Sequence, residues 1–281
     1  MGGIVGKLLK FIVIVVGLLA VAYGALSTLS DRRLAKTYAI DVAPIEVPTD
    51  AAAIARGEHI YQTRGCADCH GPDASGAEIV DDPILGLANG RNLTSGEGGL
   101  GGQLTDTDYA RAIRHGVGRD GRGLRIMPSE DYATMADSDL GPLIAYLKQV
   151  PPVDHVVPDV AFRPLGMALV IKGDFAPDAE DIDHSAAVPE APPEGETAEY
   201  GAYLANTCRG CHGPTLSGGK IEGGPPDWPP AQNLTPDTAT GLGQWTEADF
   251  FKAIREQTRP DGTKLNPVMP ADQFAKMTDS E

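Results

Sequence analysis

Residues 11–29, FIVIVVGLLAVAYGALSTL, form an apolar run of nineteen residues with no charge. That approaches the roughly 20 residues a helix needs to cross a bilayer. Lys7 and Lys10 precede it, and Arg32, Arg33 and Lys36 follow. The expected element is a transmembrane helix within residues 1–30. Ala20-Val21-Ala22 has the small-x-small form of a signal cleavage site, but the apolar run continues past it, which favours a retained anchor. The basic residues on both flanks leave the orientation open.

Beyond the anchor the pattern becomes helical and repeats. Leu104–Ile113 and Trp245–Ile254 are equivalent amphipathic stretches, each opened by a threonine N-cap (Thr105, Thr246) with aspartate three residues on (Asp108, Asp249). Leu140, Leu143, Ile144 and Leu147 recur at helical spacing and predict a closing helix for the first copy. The second copy ends at Thr278-Asp-Ser-Glu281, where its closing helix should begin, so the sequence reads as a fragment or a truncated product. Between the copies, residues 151–195 hold eight prolines and read mostly as extended linker. The exception is Leu165–Ile171 (LGMALVI), apolar enough to pack against a module. The expected architecture is all-α: an anchor (1–30), a first module (51–150), a Pro-rich acidic linker (151–197) and a second module (198–281) without its closing helix.

Composition agrees with compact modules joined by turn-rich loops. Hydrophobic residues make up 42% and aromatics only 6%, whereas Gly (34) and Pro (23) are plentiful. The net charge of −16 argues against nucleic acid as a partner and favours a protein with a basic docking patch.

All four cysteines lie in two copies of one pattern, Cys66-Ala-Asp-Cys69-His70 and Cys208-Arg-Gly-Cys211-His212. Cys-x-x-Cys-His is the attachment pattern of c-type haem. Two thiols one helical turn apart add across the two vinyl groups of one porphyrin, and the histidine that follows becomes the proximal iron ligand. A redox dithiol does not require the histidine. A single four-thiolate zinc site would have to join pairs lying far apart in sequence, each inside its own repeat. Two covalent haems c account for every thiol.

The repeat also indicates the opposite ligand. Met127 and Met269 each stand 61 residues after the first cysteine of their copy, and each precedes proline. Thioether ligation raises the haem potential and leaves no open position. Met135 and Met277 also recur, but core packing is the better reading of them. His59, His115, His155 and His184 have no matching partners across the copies and read as surface or loop residues. Asn92-Leu-Thr94 and Asn233-Leu-Thr235 match a glycosylation pattern, yet their equivalent placement marks them as turn and cap residues.

With these residues in view, each copy resembles a class I cytochrome c. The second is the more specific match, through Tyr200-Gly-Ala-Tyr-Leu-Ala-Asn, Cys208-Arg-Gly-Cys-His-Gly-Pro, Asn233-Leu-Thr-Pro-Asp, Gly241-Leu-Gly-Gln-Trp-Thr and Val268-Met-Pro. These resemble the membrane-associated cytochrome c subunits of bacterial alcohol, aldehyde and gluconate dehydrogenases. The likeness covers about residues 55–150 and 198–281. It implies covalent haem, His/Met ligation and electron transfer outside the cytoplasm. The N-terminus would then be cytoplasmic, the anchor in the inner membrane and both modules in the periplasm. Those subunits often carry three haems, whereas this chain has two attachment motifs. The resemblance implies a relay rather than an enzyme, with a dehydrogenase or quinol-side donor and a cytochrome or oxidase acceptor.

Overall fold

The computed structural model describes residues 2–221, 224 and 228–281. The apolar run lies in a single helix, α1 (Gly2–Leu34), long and apolar enough to cross a membrane, with an 18-residue window whose mean hydropathy is 2.5. It continues unbroken past Ala20-Val-Ala22.

The first copy is built from α2 (Ala51–Thr63), α3 (Cys66–His70), α4 (Asp106–His115) and α5 (Asp137–Leu147). Asp50 caps α2 by accepting from the Ala53 amide. Thr105 and Asp108 complete a capping box on α4, and Thr246 and Asp249 do the same for the equivalent helix of the second copy. The closing helix α5 lies across α2. The crossing is close because residue 57 is glycine: a Cβ there would sit 2.0 Å from the Pro142 carbonyl oxygen. Ile60 and Tyr61 of α2, Tyr109 and Ile113 of α4, and Leu140, Leu143, Ile144 and Leu147 of α5 form one buried core.

The fold is mostly helical, and the all-α expectation needs one correction. Strands β1 (Ala77–Asp82), β2 (Gly86–Gly90) and β3 (Ala161–Phe162) form an antiparallel sheet in the order β1-β2-β3. The first two form a hairpin around Asp82, whose carboxylate accepts from the Ile84 and Leu85 amides. Five and six residues without helical periodicity, rich in Gly and Asp, gave no strand pattern in sequence.

The linker expectation changes too. Residues 151–162 lie along the first copy instead of hanging free. The Asn92 side-chain amide donates to the carbonyls of Val153 (2.9 Å) and His155 (3.1 Å), and Asn89 donates to Pro158 (3.0 Å). Proline-extended backbone cannot pair its carbonyls internally, so buried asparagines satisfy them. Asn92 is fully buried, which rules out glycosylation there. The apolar stretch 165–171 forms helix α6 (Pro164–Lys172), which packs against α1.

The second copy contributes α7 (Ala198–Leu204), α8 (Arg209–His212), α9 (Glu247–Glu256) and α10 (Ala271–Phe274). Residues 275–281 carry no further helix.

Candidate haem sites

Each attachment motif sits on a short helix that ends at a glycine with positive φ, Gly71 (77°) or Gly213 (77°). The chain then turns so that both histidines meet a backbone carbonyl. His70 Nδ1 donates to the Arg91 carbonyl (2.8 Å), and His212 Nδ1 donates to the Gln232 carbonyl (2.7 Å). With Nδ1 carrying the proton, each Nε2 keeps its lone pair for a metal.

The residue after each acceptor is the asparagine of an Asn-Leu-Thr triplet. Asn92 Oδ1 accepts from the Thr94 amide and Asn233 Oδ1 from the Thr235 amide, both at 2.9 Å. These side-chain turns hold the peptide whose carbonyl orients the ring. The triplet is the sequence signal of the acceptor, which the motif alone did not reveal.

The thiols are not activated, although Cys66, Cys69 and Cys208 are only half-buried and Cys211 is exposed. Burial pushes the Cys66 thiol up to about 12 and the Cys208 thiol up to about 11, and raises Cys69 and Cys211 as well. Such thiols are poor nucleophiles at neutral pH, contrary to the redox-dithiol reading. Among the described residues no cluster of three or more His, Cys, Asp or Glu side chains gathers into a metal cage, so the two cysteine pairs do not meet as one zinc site.

In the second copy a cavity of about 700 Å³ opens beside α8. Cys208, Cys211, His212 and Met269 all line it. Trp245, Phe250, Leu234 and Leu265 give it apolar walls, and Arg259 and Lys264 contribute cationic groups. Size and chemistry fit haem c: an apolar slot with two thiols and an imidazole along one wall, a thioether in the lining, and cations available to carboxylates.

Met127 and Met269 share a local geometry. The Ser129 amide donates to the Met127 carbonyl (2.9 Å), and the Ala271 amide donates to the Met269 carbonyl (2.8 Å). Met127 packs against the edge of the first core. Ile126 before it has φ 69°, a left-handed conformation unusual for a β-branched residue. Strain of this kind, on the order of 1–3 kcal/mol, concentrates at functional loops. Met135 is buried in the core, in keeping with the packing role read from sequence.

The remaining histidines have other partners. His59 Nε2 meets Glu281 (2.7 Å), His155 Nδ1 meets the Ser75 carbonyl (2.9 Å), and the His115 and His184 Nδ1 atoms lie 3.1 Å apart.

The second attachment helix abuts the turn that follows Met127. Residue 210 is glycine at this contact: a Cβ would fall 2.6 Å from Asp131 Oδ2. Tyr203 reinforces the seam, donating its hydroxyl to Asp139 (2.7 Å) and accepting from the Ala136 amide (3.1 Å). Arg56 joins Asp139 and Glu194. Arg64, two residues before Cys66 and only 6% exposed, lies over the Tyr203 ring at 5.9 Å. Its Nε has no hydrogen-bond partner, and among the described residues Arg64 forms no ion pair. Nothing in the sequence marked Arg64, and Tyr203 stood only within the Tyr200–Asn206 stretch that resembles the family, because the seam joins residues far apart in the chain.

Residues 52–147 match the family model described as cytochrome c oxidase, cbb3-type, subunit III. The chain is 30% identical to the gluconate 2-dehydrogenase cytochrome c subunit of Pantoea cypripedii, over 73% of this chain and 51% of that protein. It is 36% identical to the fructose dehydrogenase cytochrome subunit of Gluconobacter japonicus, over 80% and 50% respectively. It is 28% identical to a protein named diheme cytochrome c-type from Cereibacter sphaeroides, over 73% and 74%. The chain thus spans about half the length of the two dehydrogenase subunits.

Proposed function

For a chain of the cytochrome c class, similar to the cytochrome c subunits of bacterial dehydrogenases, we propose that it is a dihaem electron relay anchored in the bacterial inner membrane. Cys66 and Cys69 hold one haem c, and Cys208 and Cys211 hold the other. His70 with Met127, and His212 with Met269, are the axial pairs. Helix α1 spans the membrane with its N-terminus in the cytoplasm, and both modules stand in the periplasm. The observation that carries this reading is the cavity of the second copy, which Cys208, Cys211, His212 and Met269 all line.

Bound haem c supplies a reversible one-electron couple. The chain's residues do the rest. The Arg91 and Gln232 carbonyls fix the histidine rings, Met127 and Met269 would supply the second iron ligand of each haem, and apolar walls would shield the second haem from water. The contact of α8 with the turn after Met127 joins the second attachment motif to the first copy, which supports transfer between two haems held in the two copies. The donor is a dehydrogenase or a quinol-side protein, and the acceptor a cytochrome or oxidase. Intact-mass measurement of the membrane-extracted holoprotein is expected to show two haems added per chain. One haem or none would overturn the relay.

Arg64 gives a further expectation. A buried cation near both attachment motifs disfavours the ferric state of each iron. At an effective dielectric near 20, one charge about 10 Å away is worth about 1.7 kcal/mol. Arg64→Gln is expected to shift both reduction equilibria toward the oxidised form by about tenfold to twentyfold, while Arg64→Lys holds them. A redox titration resolving the two haems reads this directly, and an unchanged second potential would contradict the seam.

An acidic surface should also make exchange with a basic redox partner sensitive to salt. The association rate, followed by rapid mixing, is expected to fall by tenfold or more between about 0.01 M and 0.15 M salt, where the screening length shortens from about 30 to about 8 Å. A flat response would remove charge steering from the mechanism.

A further inference from the structure

The last turns of α1 are not free of the first copy. Leu26, Ser27 and Arg33 are half-buried and Ser30 and Leu34 are buried, whereas the preceding turns are almost wholly exposed. These positions share one helix face. Helix α6 packs against α1. Arg33 Nη1 donates to the Val170 (3.0 Å) and Ile171 (2.9 Å) carbonyls, satisfying acceptors at the C-terminal end of α6. The same guanidinium pairs with Glu180 at 2.8 Å.

The level of this contact matters. At about 1.5 Å per residue, the uncharged stretch 11–29 is close to the ~30 Å hydrocarbon thickness of a bilayer. Leu26 and Ser27 lie inside that stretch, in its last turn. Whatever covers them reaches the boundary between acyl chains and headgroups. Helix α6 reads Pro-Leu-Gly-Met-Ala-Leu-Val-Ile-Lys, with its one charge at the last position; Gly166 and Val170 are buried, Met167, Ala168, Leu169 and Ile171 half-buried, and Pro164 and Leu165 exposed. At its start Leu165 is 45% exposed, and its amide donates to the Ile84 carbonyl (3.1 Å). Ile84, at the tip of the β1–β2 hairpin, is 57% exposed, and Ile79 and Val80 on β1 are also exposed. A bulge between Glu78 and Val80 breaks the strand's alternation there. Exposed apolar side chains at the start of α6 and on the hairpin are thus joined to the membrane helix through the packing of α6 on α1.

We propose that α6 and the β1–β2 hairpin tip rest in the headgroup–acyl boundary, so that lipid is the partner of this face and holds the first module in a fixed attitude on the membrane. Continuity with α1 selects lipid over a protein subunit: a surface fixed to the last turn of a membrane span meets the bilayer before any soluble partner. Scattered exposed apolar residues need no explanation, but a set joined to a span is the arrangement of an interfacial anchor. The inference rests on α1 being a retained membrane helix.

The test uses the full-chain holoprotein in bacterial membranes, with p-benzoylphenylalanine in place of Leu19, Ile84, Leu165 or Glu199, one site at a time. Haem content checks that each variant has folded. After irradiation, mass spectrometry is expected to find phospholipid adducts at Leu19, Ile84 and Leu165, and none at Glu199 on the second copy. Lipid adducts at Leu19 but not at Ile84 and Leu165, or only protein adducts at those two, would overturn the inference and leave the anchor standing. Absence of lipid adducts at Leu19 would remove the anchor and the inference together.

Discussion

Met269→Leu is expected to make one haem of the reduced protein bind carbon monoxide, where the unaltered chain binds none. Leucine conserves volume and removes the sulfur, so the fold is little disturbed while the sixth iron position opens. Met269 lines the cavity that Cys208, Cys211 and His212 also line, on a turn repeated at Met127. Met127→Leu is expected to open the other haem, and the double variant both. Loss of the thioether also lowers the potential, by more than tenfold in the reduction equilibrium, or more than about 59 mV for one electron. Met135→Leu is the control: Met135 is buried in the core of the first copy, so it should cost less than about 1.5 kcal/mol and open nothing. Counting bound carbon monoxide per covalent haem reads all four variants. If Met269→Leu binds none, its sulfur is not the ligand. If the unaltered protein already binds one, an open site exists and the relay gives way to an enzyme or a gas sensor.

The residues proposed to carry the chemistry were marked in sequence because the repeat supplied an internal control. Met127 and Met269 stood out from the six methionines through equal spacing and a following proline, and both capping boxes were readable from Thr-x-x-Asp. The strands were not, because Ala77–Asp82 and Gly86–Gly90 are short, and Gly and Asp are poor strand formers. The path of residues 151–162 was hidden for another reason. Proline content reports extended backbone, but whether that backbone packs depends on distant acceptors and donors such as Asn89 and Asn92. The ring-orienting carbonyls belong to Arg91 and Gln232, whose side chains play no part, so only the neighbouring Asn-Leu-Thr triplet could mark them. Arg64, Tyr203 and Gly210 gain meaning only when the copies meet, and a one-dimensional pattern carries no record of that contact.

Removing a haem should affect the two copies unequally. In the first, α2, α4 and α5 bury a core of their own, including Tyr61, Leu140, Leu143 and Ile144, and a sheet and the 151–162 segment brace it. Among the described residues of the second, the buried apolar ones are few, chiefly Tyr200, Leu204, Ala253, Ala271 and Phe274, beside a cavity of about 700 Å³. Much of that cavity's wall is apolar, so on the proposed reading a bound haem would serve as the core of that copy. Cys208→Ser with Cys211→Ser is therefore expected to lower the intact mass by one haem and to leave residues 198–281 open to proteolysis. Cys66→Ser with Cys69→Ser should also lose one haem, yet keep α2 and α5 packed. Deletion of single core side chains costs about 2–5 kcal/mol. Loss of a haem core exceeds that and is enough to unfold a module of ordinary stability, about 5–15 kcal/mol. Limited proteolysis of the two holoproteins, with fragments identified by mass, decides it. Equal resistance in both pairs would mean that the second copy holds itself together without haem, and the cavity would then need another occupant.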